Sequence, residues 1–293
     1  MRFATFNIYW FGTSRPIVRR AASDDTLVAN VLARLDADVF ALEEICDLPR
    51  LERALAEASA ISGRDLRMRV GADVVTSARP HEYTDGGAQK VVFAWDARRV
   101  APEAWGPLPV NALRPPLWAR FRGEDGLSVD AVAVHMKSGR LGAPMEDPNA
   151  VQRHAEAIGV AGWLAGGAPG PAGVATDRTL LLGDLNARRG DPSLAPLWAL
   201  PGWEWPAPEV PEDDPWTTFL DRDVIDLVGV GPGLRVVTPP RAWDWDRDPR
   251  VAPPGWFRQV DDFLAQRARD FPKAPVENLY RVSDHRPVRI TVA

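Results

Sequence analysis

The chain has 293 residues, 45% hydrophobic and 26% charged, enough for a sizeable buried core. Its net charge of -5 and pI near 5.5 argue against a protein that coats nucleic acid by bulk electrostatics, although a phosphate ester stays admissible because a bound cation can supply positive charge. Cys46 is the single cysteine, so an intrachain disulfide is excluded; with no basic neighbour it reads as a small buried hydrophobe and not as a nucleophile.

Arg2 to Ile8 alternates apolar and polar residues and predicts a first strand. Asp24 or Asp25 can cap a helix running to Leu35, with Leu27, Val28, Val31, Leu32 and Leu35 on one face. Val39 to Leu42 predicts a second strand. Asp47 and Pro49 then open a helix that Gly63 closes, apolar at Leu51, Leu55, Ala58 and Ile61. Lys90 to Trp95 and Val129 to Val134 are further strands. Asp147-Pro148 opens a helix carrying Val151, Ile158, Val160 and Leu164, which stops at Gly166-Gly167. Thr179 to Leu182, Val260 to Leu264 and Val288 to Val292 complete the predicted strands. Pro201 to Pro215 reads as a loop, because chemistry-bearing segments lie on both sides of it. Strands and helices interleave with no run that separates two bodies, so residues 1–293 are expected to form one α/β domain with a variable Trp/Pro-rich region at about 201–258. No stretch approaches a membrane span. The N-terminus runs into a strand without an h-region or cleavage site, and cytoplasm is the default expectation.

Polar residues recur where these strands end, which predicts one site at the rim of a sheet. Asn7 ends the first strand; taken alone it is an ordinary turn former. Phe40, Leu42 and Glu44 share a face of the second strand, and a carboxylate ending an apolar face is costly unless it is paired or ligates a cation. Oxygen ligands of this kind suit Mg2+ or Mn2+, and four histidines with one cysteine leave little for a zinc cluster. Asp184 and Asn186 face the same way if the chain is extended and could hold and deprotonate a water; an Asx turn ending the strand weighs equally. His135 and Lys137 form a donor pair suited to a phosphate oxygen, set against a plain solvated strand end. His285 can act as acid or base, with Asp284 beside it and Asp261-Asp262 upstream to fix its tautomer.

Six pieces in this order, Thr5-Phe6-Asn7, Leu42-Glu43-Glu44-Ile45, His135-Met136-Lys137-Ser138-Gly139, Gly183-Asp184-Leu185-Asn186-Ala187, Val260-Asp261-Asp262-Phe263-Leu264 and Ser283-Asp284-His285-Arg286-Pro287-Val288, resemble the endonuclease/exonuclease/phosphatase superfamily of divalent-metal phosphoesterases. The resemblance implies a four-layer α/β/β/α sandwich of two mixed β-sheets flanked by helices. It also implies that Asn7 and Glu44 hold Mg2+ (or Mn2+) with Asp284 completing the ion site. Asp184 and Asn186 would activate the attacking water, Asp261 would orient His285, and His135 would bind the scissile phosphate. Whether Asp184 or the Asp261–His285 pair is the base stays open. Lys137, Lys90 and Asn186 are expected on the substrate phosphate. The departures are Glu43 where many members have Gln, and Gln259-Val260-Asp261-Asp262 where many have Arg-Ile-Asp-Tyr, which leaves Asp261 and Asp262 in competition. On a strand Glu43 should point away from Glu44. Gln152-Arg153 after the His135 motif, with Gln89-Lys90 earlier, resembles the bacterial nuclease-like members most.

The favoured activity is therefore a divalent-metal-dependent phosphodiester hydrolase acting on nucleic acid, with no obligate protein partner. Its alternatives are a phosphomonoesterase or phospholipid phosphodiesterase of the same fold and, third, a noncatalytic binding relative. Six of the 12 tryptophans (Trp203, Trp205, Trp216, Trp243, Trp245 and Trp256) fall in the variable region. Their acidic flanks favour a packed lid or satellite core over a base-stacking platform.

Overall fold

The computed structural model describes residues 1–12, 22–70, 89–166, 176–212, 215–218, 223–251 and 282–293. The predicted strand Val260 to Leu264, with Asp261, and Trp256 lie outside these residues.

Two βαβ units organise the chain. In the first, β1 (Arg2–Phe11) crosses through α1 (Ala22–Arg34) to the parallel strand β2 (Val39–Ile45). After α2 (Leu48–Ser62) and β3 (Leu66–Val70) comes β4 (Lys90–Asp96), antiparallel to β2. β5 (Val100–Pro107) and β6 (Leu117–Gly123) lead to the second unit, in which β7 (Ser128–His135) crosses through α3 (Pro148–Leu164) to the parallel strand β8 (Thr179–Asp184). A 3-10 turn at Pro192–Leu194, α4 (Ala195–Trp198), β9 (Asp226–Val230), β10 (Val236–Ala242) and β11 (Val288–Val292) complete the described elements. The strands form a six-stranded sheet, β10-β11-β1-β2-β4-β3, and a five-stranded sheet, β5-β6-β7-β8-β9, both mixed.

Side-chain alternation distributes the apolar residues among three interlayer cores. Phe3, Val39, Ala41, Phe93, Phe121, Ala131 and Leu182 pack between the sheets. Ala4, Phe6, Phe40 and Leu42, on the opposite faces of the same strands, meet Val28, Leu32, Leu51 and Leu55 of α1 and α2. Val132, Val134 and Leu181 meet Val160, Trp163 and Leu164 of α3. The result is the α/β/β/α sandwich. Asp47 caps α2 by accepting the Arg50 amide at 3.0 Å, and Gly63 ends it at a φ of 70°, where a residue without Cβ is unstrained.

The predicted elements that fall within the described residues occur, most of them a few residues longer. β3, β5, β6, β9 and β10 have weaker patterns and were not predicted; β10 carries Pro239 and Pro240, tolerated because it is an edge strand. α1 begins before Asp24, and Asp25 pairs with Arg50. Ile61, expected on the apolar face of α2, is 43% exposed. α3 departs further: Val151 and Ile158 are exposed, while Arg153 and Glu156 are buried. The 201–212 loop does pack against the body, through single bridges from Glu204 to Val230 and from Glu209 to Arg241. Among the described residues no helix is long and apolar enough to cross a membrane.

Candidate active site

Strand direction gathers the polar ends. β1, β2, β7 and β8 finish at one edge of the sandwich, where β9 and β11 begin, so Asn7, Glu44, His135, Asp184, Asp226 and the Asp284-His285 pair share one rim. Asn7 Nδ2 lies 3.2 Å from Glu44 Oε1 and 3.1 Å from Asp184 Oδ2, joining the two sheets across the site. Its Oδ1 accepts from the Tyr9 amide at 3.0 Å. His135 Nε2 is 3.7 Å from Glu44 Oε1 and 3.6 Å from Asp184 Oδ2, and His285 Nε2 is 3.9 Å from that same Asp184 oxygen. All of these side chains are buried or nearly so.

Local backbone geometry sets the aim. Strict alternation would send Glu44 to the helix side with Phe40 and Leu42. Instead Glu44 adopts a φ of 60° where the β2–β4 register shifts, and its carboxylate turns into the site. Glu43 keeps the alternation and lies wholly buried between the sheets, accepting from Thr5 Oγ1 at 2.7 Å. Asn186 has a φ of 52°, so it does not extend alongside Asp184 as the two-residue spacing suggested. Its amide donates to Asp184 Oδ1 at 2.8 Å, an Asx turn, and its Nδ2 donates to the Met136 carbonyl at 3.0 Å. Lys137 follows the end of β7 and is half-buried. Lys90 opposes Ile45 across the β2–β4 pair, next to Glu44. Gly183 is required between β7 and β8: its φ is 151°, and a Cβ there would stand 1.9 Å from the Val134 carbonyl oxygen.

His285 is held on its far side by Asp226, whose oxygens lie 3.1 and 3.0 Å from Nδ1. The carboxylate on Nδ1 is thus Asp226 from the start of β9, while Asp261 lies outside the described residues. Thr217 sets the pair: its Oγ1 accepts the Asp226 amide at 3.2 Å, and its carbonyl accepts the Arg286 amide at 2.7 Å. Trp245 Nε1 donates to the His285 carbonyl at 2.9 Å, and the fully buried Arg286 guanidinium bonds Asp246.

No protein-family model and no curated protein matches the sequence. Solved structures do match. The human Nocturnin catalytic domain with bound sulfate superimposes with a TM-score of 0.61 at 14% identity, covering 100% of this chain and 94% of that one. D. rerio TDP2 complexed with a single-strand DNA product gives 0.60 at 13% identity, covering 100% and 98%. An endonuclease/exonuclease/phosphatase family protein from Bacteroides thetaiotaomicron gives 0.56 at 16% identity, covering 100% and 97%. The chain has the endonuclease/exonuclease/phosphatase fold.

The electrostatics at the rim of this endonuclease/exonuclease/phosphatase fold follow from burial and crowding of charge. Burial lifts the Asp184 carboxyl to about 7, with Asp226 adding repulsion against the opposing pull of His285. Burial lifts Asp284 to about 7 as well, with Glu44 repelling it. Burial opposes charge on His285, but Asp226 and Asp284 outweigh it and hold the imidazolium well above its ordinary 6.5. Burial, reinforced by Arg114, drives His135 well below 6.5, so it is neutral, and the carboxylates facing Nε2 select the tautomer with a proton there.

Among the described residues no three His, Cys, Asp or Glu side chains form a ready-made metal cage. The donors nevertheless fit a hard cation. Glu44 and Asp284 present oxygen donors at one rim, and Asp284 Oδ1 is buried without a hydrogen-bond partner among the described residues. Mg2+ usually takes only one or two protein carboxylates and keeps waters or substrate oxygens in its remaining positions.

Asp226 was missed because Val224-Ile225-Asp226-Leu227-Val228 reads as a short apolar segment with one charge and no neighbouring His or Asn to mark it. A lone carboxylate inside an apolar run was the available signal. Among the described residues the tryptophans of this region pack on the cores. Trp245 is fully buried beneath α1 and α2, Trp205 covers Gly229, where a Cβ would meet its ring at 2.7 Å, and Trp203 stacks on Trp205 with centroids 6.2 Å apart.

Proposed function

We propose that this protein is a divalent-metal-dependent phosphodiester hydrolase, most readily a nuclease. The observation that carries the reading is the hydrogen-bonded Asp226–His285 pair facing Asp184 at the rim that also holds Glu44, Asp284 and His135. In this reading residues 1–293 work as one catalytic domain in which Glu44 and Asp284 hold Mg2+ or Mn2+, and Asn7 assists through the remaining lone pair of Oδ1. Such an ion, when bound, supplies charge neutralisation at a phosphoryl oxygen.

The chain's own residues do the rest. Asp184, poised near neutral pH, takes the proton of the attacking water, which the Asn186 turn helps to orient. His135, neutral with a proton on Nε2, donates to a nonbridging phosphate oxygen as charge builds there. His285, kept protonated by Asp226, faces the developing negative charge and can deliver a proton to the departing oxygen. Lys137 and Lys90 flank the phosphate.

The DNA product named with TDP2 supports nucleic acid as the first substrate to try, and the sulfate named with Nocturnin supports an oxyanion as the kind of ligand. A panel of plasmid DNA, RNA, bis-nitrophenyl phosphate, a phosphomonoester and phospholipid, assayed with Mn2+, tests the assignment. Hydrolysis of a diester should fall to background with EDTA and in Glu44→Ala and His285→Ala. Diester hydrolysis that survives these changes, or a wild-type protein inert toward the whole panel, would end this reading.

A further inference from the structure

α3 is built inside out at two positions. Val151 and Ile158 are 51% and 54% exposed, whereas Arg153 is 0% exposed and Glu156 2%. A guanidinium and a carboxylate are turned inward while two aliphatic side chains face water, the reverse of what burial of apolar surface favours. The contacts of the two charged groups give the reason. Arg153 Nη1 donates to the Lys137 carbonyl at 2.9 Å and to the Asn186 carbonyl at 2.7 Å, and its Nε donates to Ser193 Oγ at 2.8 Å. Glu156 Oε2 accepts the Lys137 amide at 2.8 Å. The peptide groups on both sides of Lys137 are therefore gripped by α3, and one nitrogen bridges the segment after β7 to the segment after β8. Asp191 steadies the grip by accepting from the Ser193 hydroxyl at 2.6 Å.

We infer that Arg153, with Glu156, is a positioning residue that fixes the spacing between Lys137 and Asn186 and so shapes the phosphate-contacting side of the site. This rests on the hydrolase reading for the role of that side, though not for the clamp itself. Arg153 touches neither the Asp226–His285 pair nor Glu44 and Asp284 in any contact given above; its link to a proton-handling group runs only through Asn186, whose amide donates to Asp184, so its removal should act chiefly on substrate placement. A displacement of about 1 Å in a substrate-positioning group costs on the order of 100-fold in rate.

Two variants, Arg153→Met and Arg153→Lys, test it, with Val151→Ser on the outer face of α3 as control. Urea unfolding would establish that each is folded. Amide hydrogen exchange should accelerate at Lys137 and Asn186 in Arg153→Met while β2 and β11 keep their protection. With the diester substrate, kcat/KM should drop about 100-fold, mostly through KM. Arg153→Lys, whose single ammonium cannot reproduce the fork to both carbonyls and Ser193, should fall between. If Arg153→Met does not fold, Arg153→Lys decides. A folded variant with wild-type exchange at Lys137 and Asn186 and wild-type KM would overturn the inference, even if its stability had fallen. If wild-type protein hydrolyses nothing, the proposed function fails, and the exchange measurement still judges the clamp.

Discussion

Asp226→Asn is the most telling substitution, because it alters charge at a fully buried position while nearly preserving shape. Asp226 is 0% exposed and holds Nδ1 of His285 at 3.0 Å. Asparagine can still accept from Nδ1–H through its own oxygen, so the ring should keep its place and lose the negative charge that favours the imidazolium. Asp226 is the foremost of the groups raising the His285 pKa against burial, so in the variant that pKa should fall and the imidazolium lose its main support. If the protonated ring serves the departing oxygen, kcat should fall between about 100- and 10,000-fold, the range spanned by general acid–base catalysis. Stability should fall too, since breaking a buried charge pair typically costs about 3–5 kcal/mol. The sign with pH is fixed. A histidine whose folded pKa exceeds its unfolded value contributes stability that is complete below about 6.5 and fades as pH rises through the folded value. The stability gap between wild type and variant should therefore be widest near pH 6 and narrow toward alkaline pH. Urea titrations at several pH values and kcat–pH profiles with bis-nitrophenyl phosphate measure both effects. A variant with kcat within threefold of wild type and an unchanged pH profile would refute the assignment of His285 as the protonated partner.

Gly183→Ala should be destabilising by roughly 3 kcal/mol and should cost most of the activity, because its Cβ would fall more than 1 Å inside the closest tolerated approach to the Val134 backbone and would pry β7 from β8 beneath His135 and Asp184. A variant as stable and as active as wild type would contradict the required close approach. Metal-free protein should lose stability as pH rises from about 4 to 7, because Asp184 and Asp284 bind protons in the folded state up to about 7 and in the unfolded chain only to about 4. Added Mn2+ should restore melting temperature at pH 7 more than at pH 5, and scanning calorimetry that shows no such difference would count against a cation among these carboxylates.

Much of the architecture was legible in the chain because its signals are local. Asp47 and Asp147 as caps with a proline close behind, Gly63 as a helix stop, and the apolar strands around Leu42, Val134 and Leu182 each speak for their own neighbourhood, and the polar residues after those strands mark the rim. What the sequence could not give was direction and partnership. Nothing in the spacing of Glu43 and Glu44 reveals that a left-handed residue at a register shift turns one carboxylate into the site and leaves the other between the sheets. The periodicity of α3 favoured Val151 and Ile158 for the interior, yet the carbonyls of Lys137 and Asn186 claim that face for Arg153. Asp226 belongs to His285 only because β8 and β9 pair antiparallel, which sets Asp184 opposite Asp226 beside the start of β11. Residue types and local periodicity determined that there would be an α/β domain with an acidic, histidine-bearing rim. Long-range strand pairing decided which acid meets which histidine, since that choice depends on register between segments 59 residues apart and leaves no trace in either one alone.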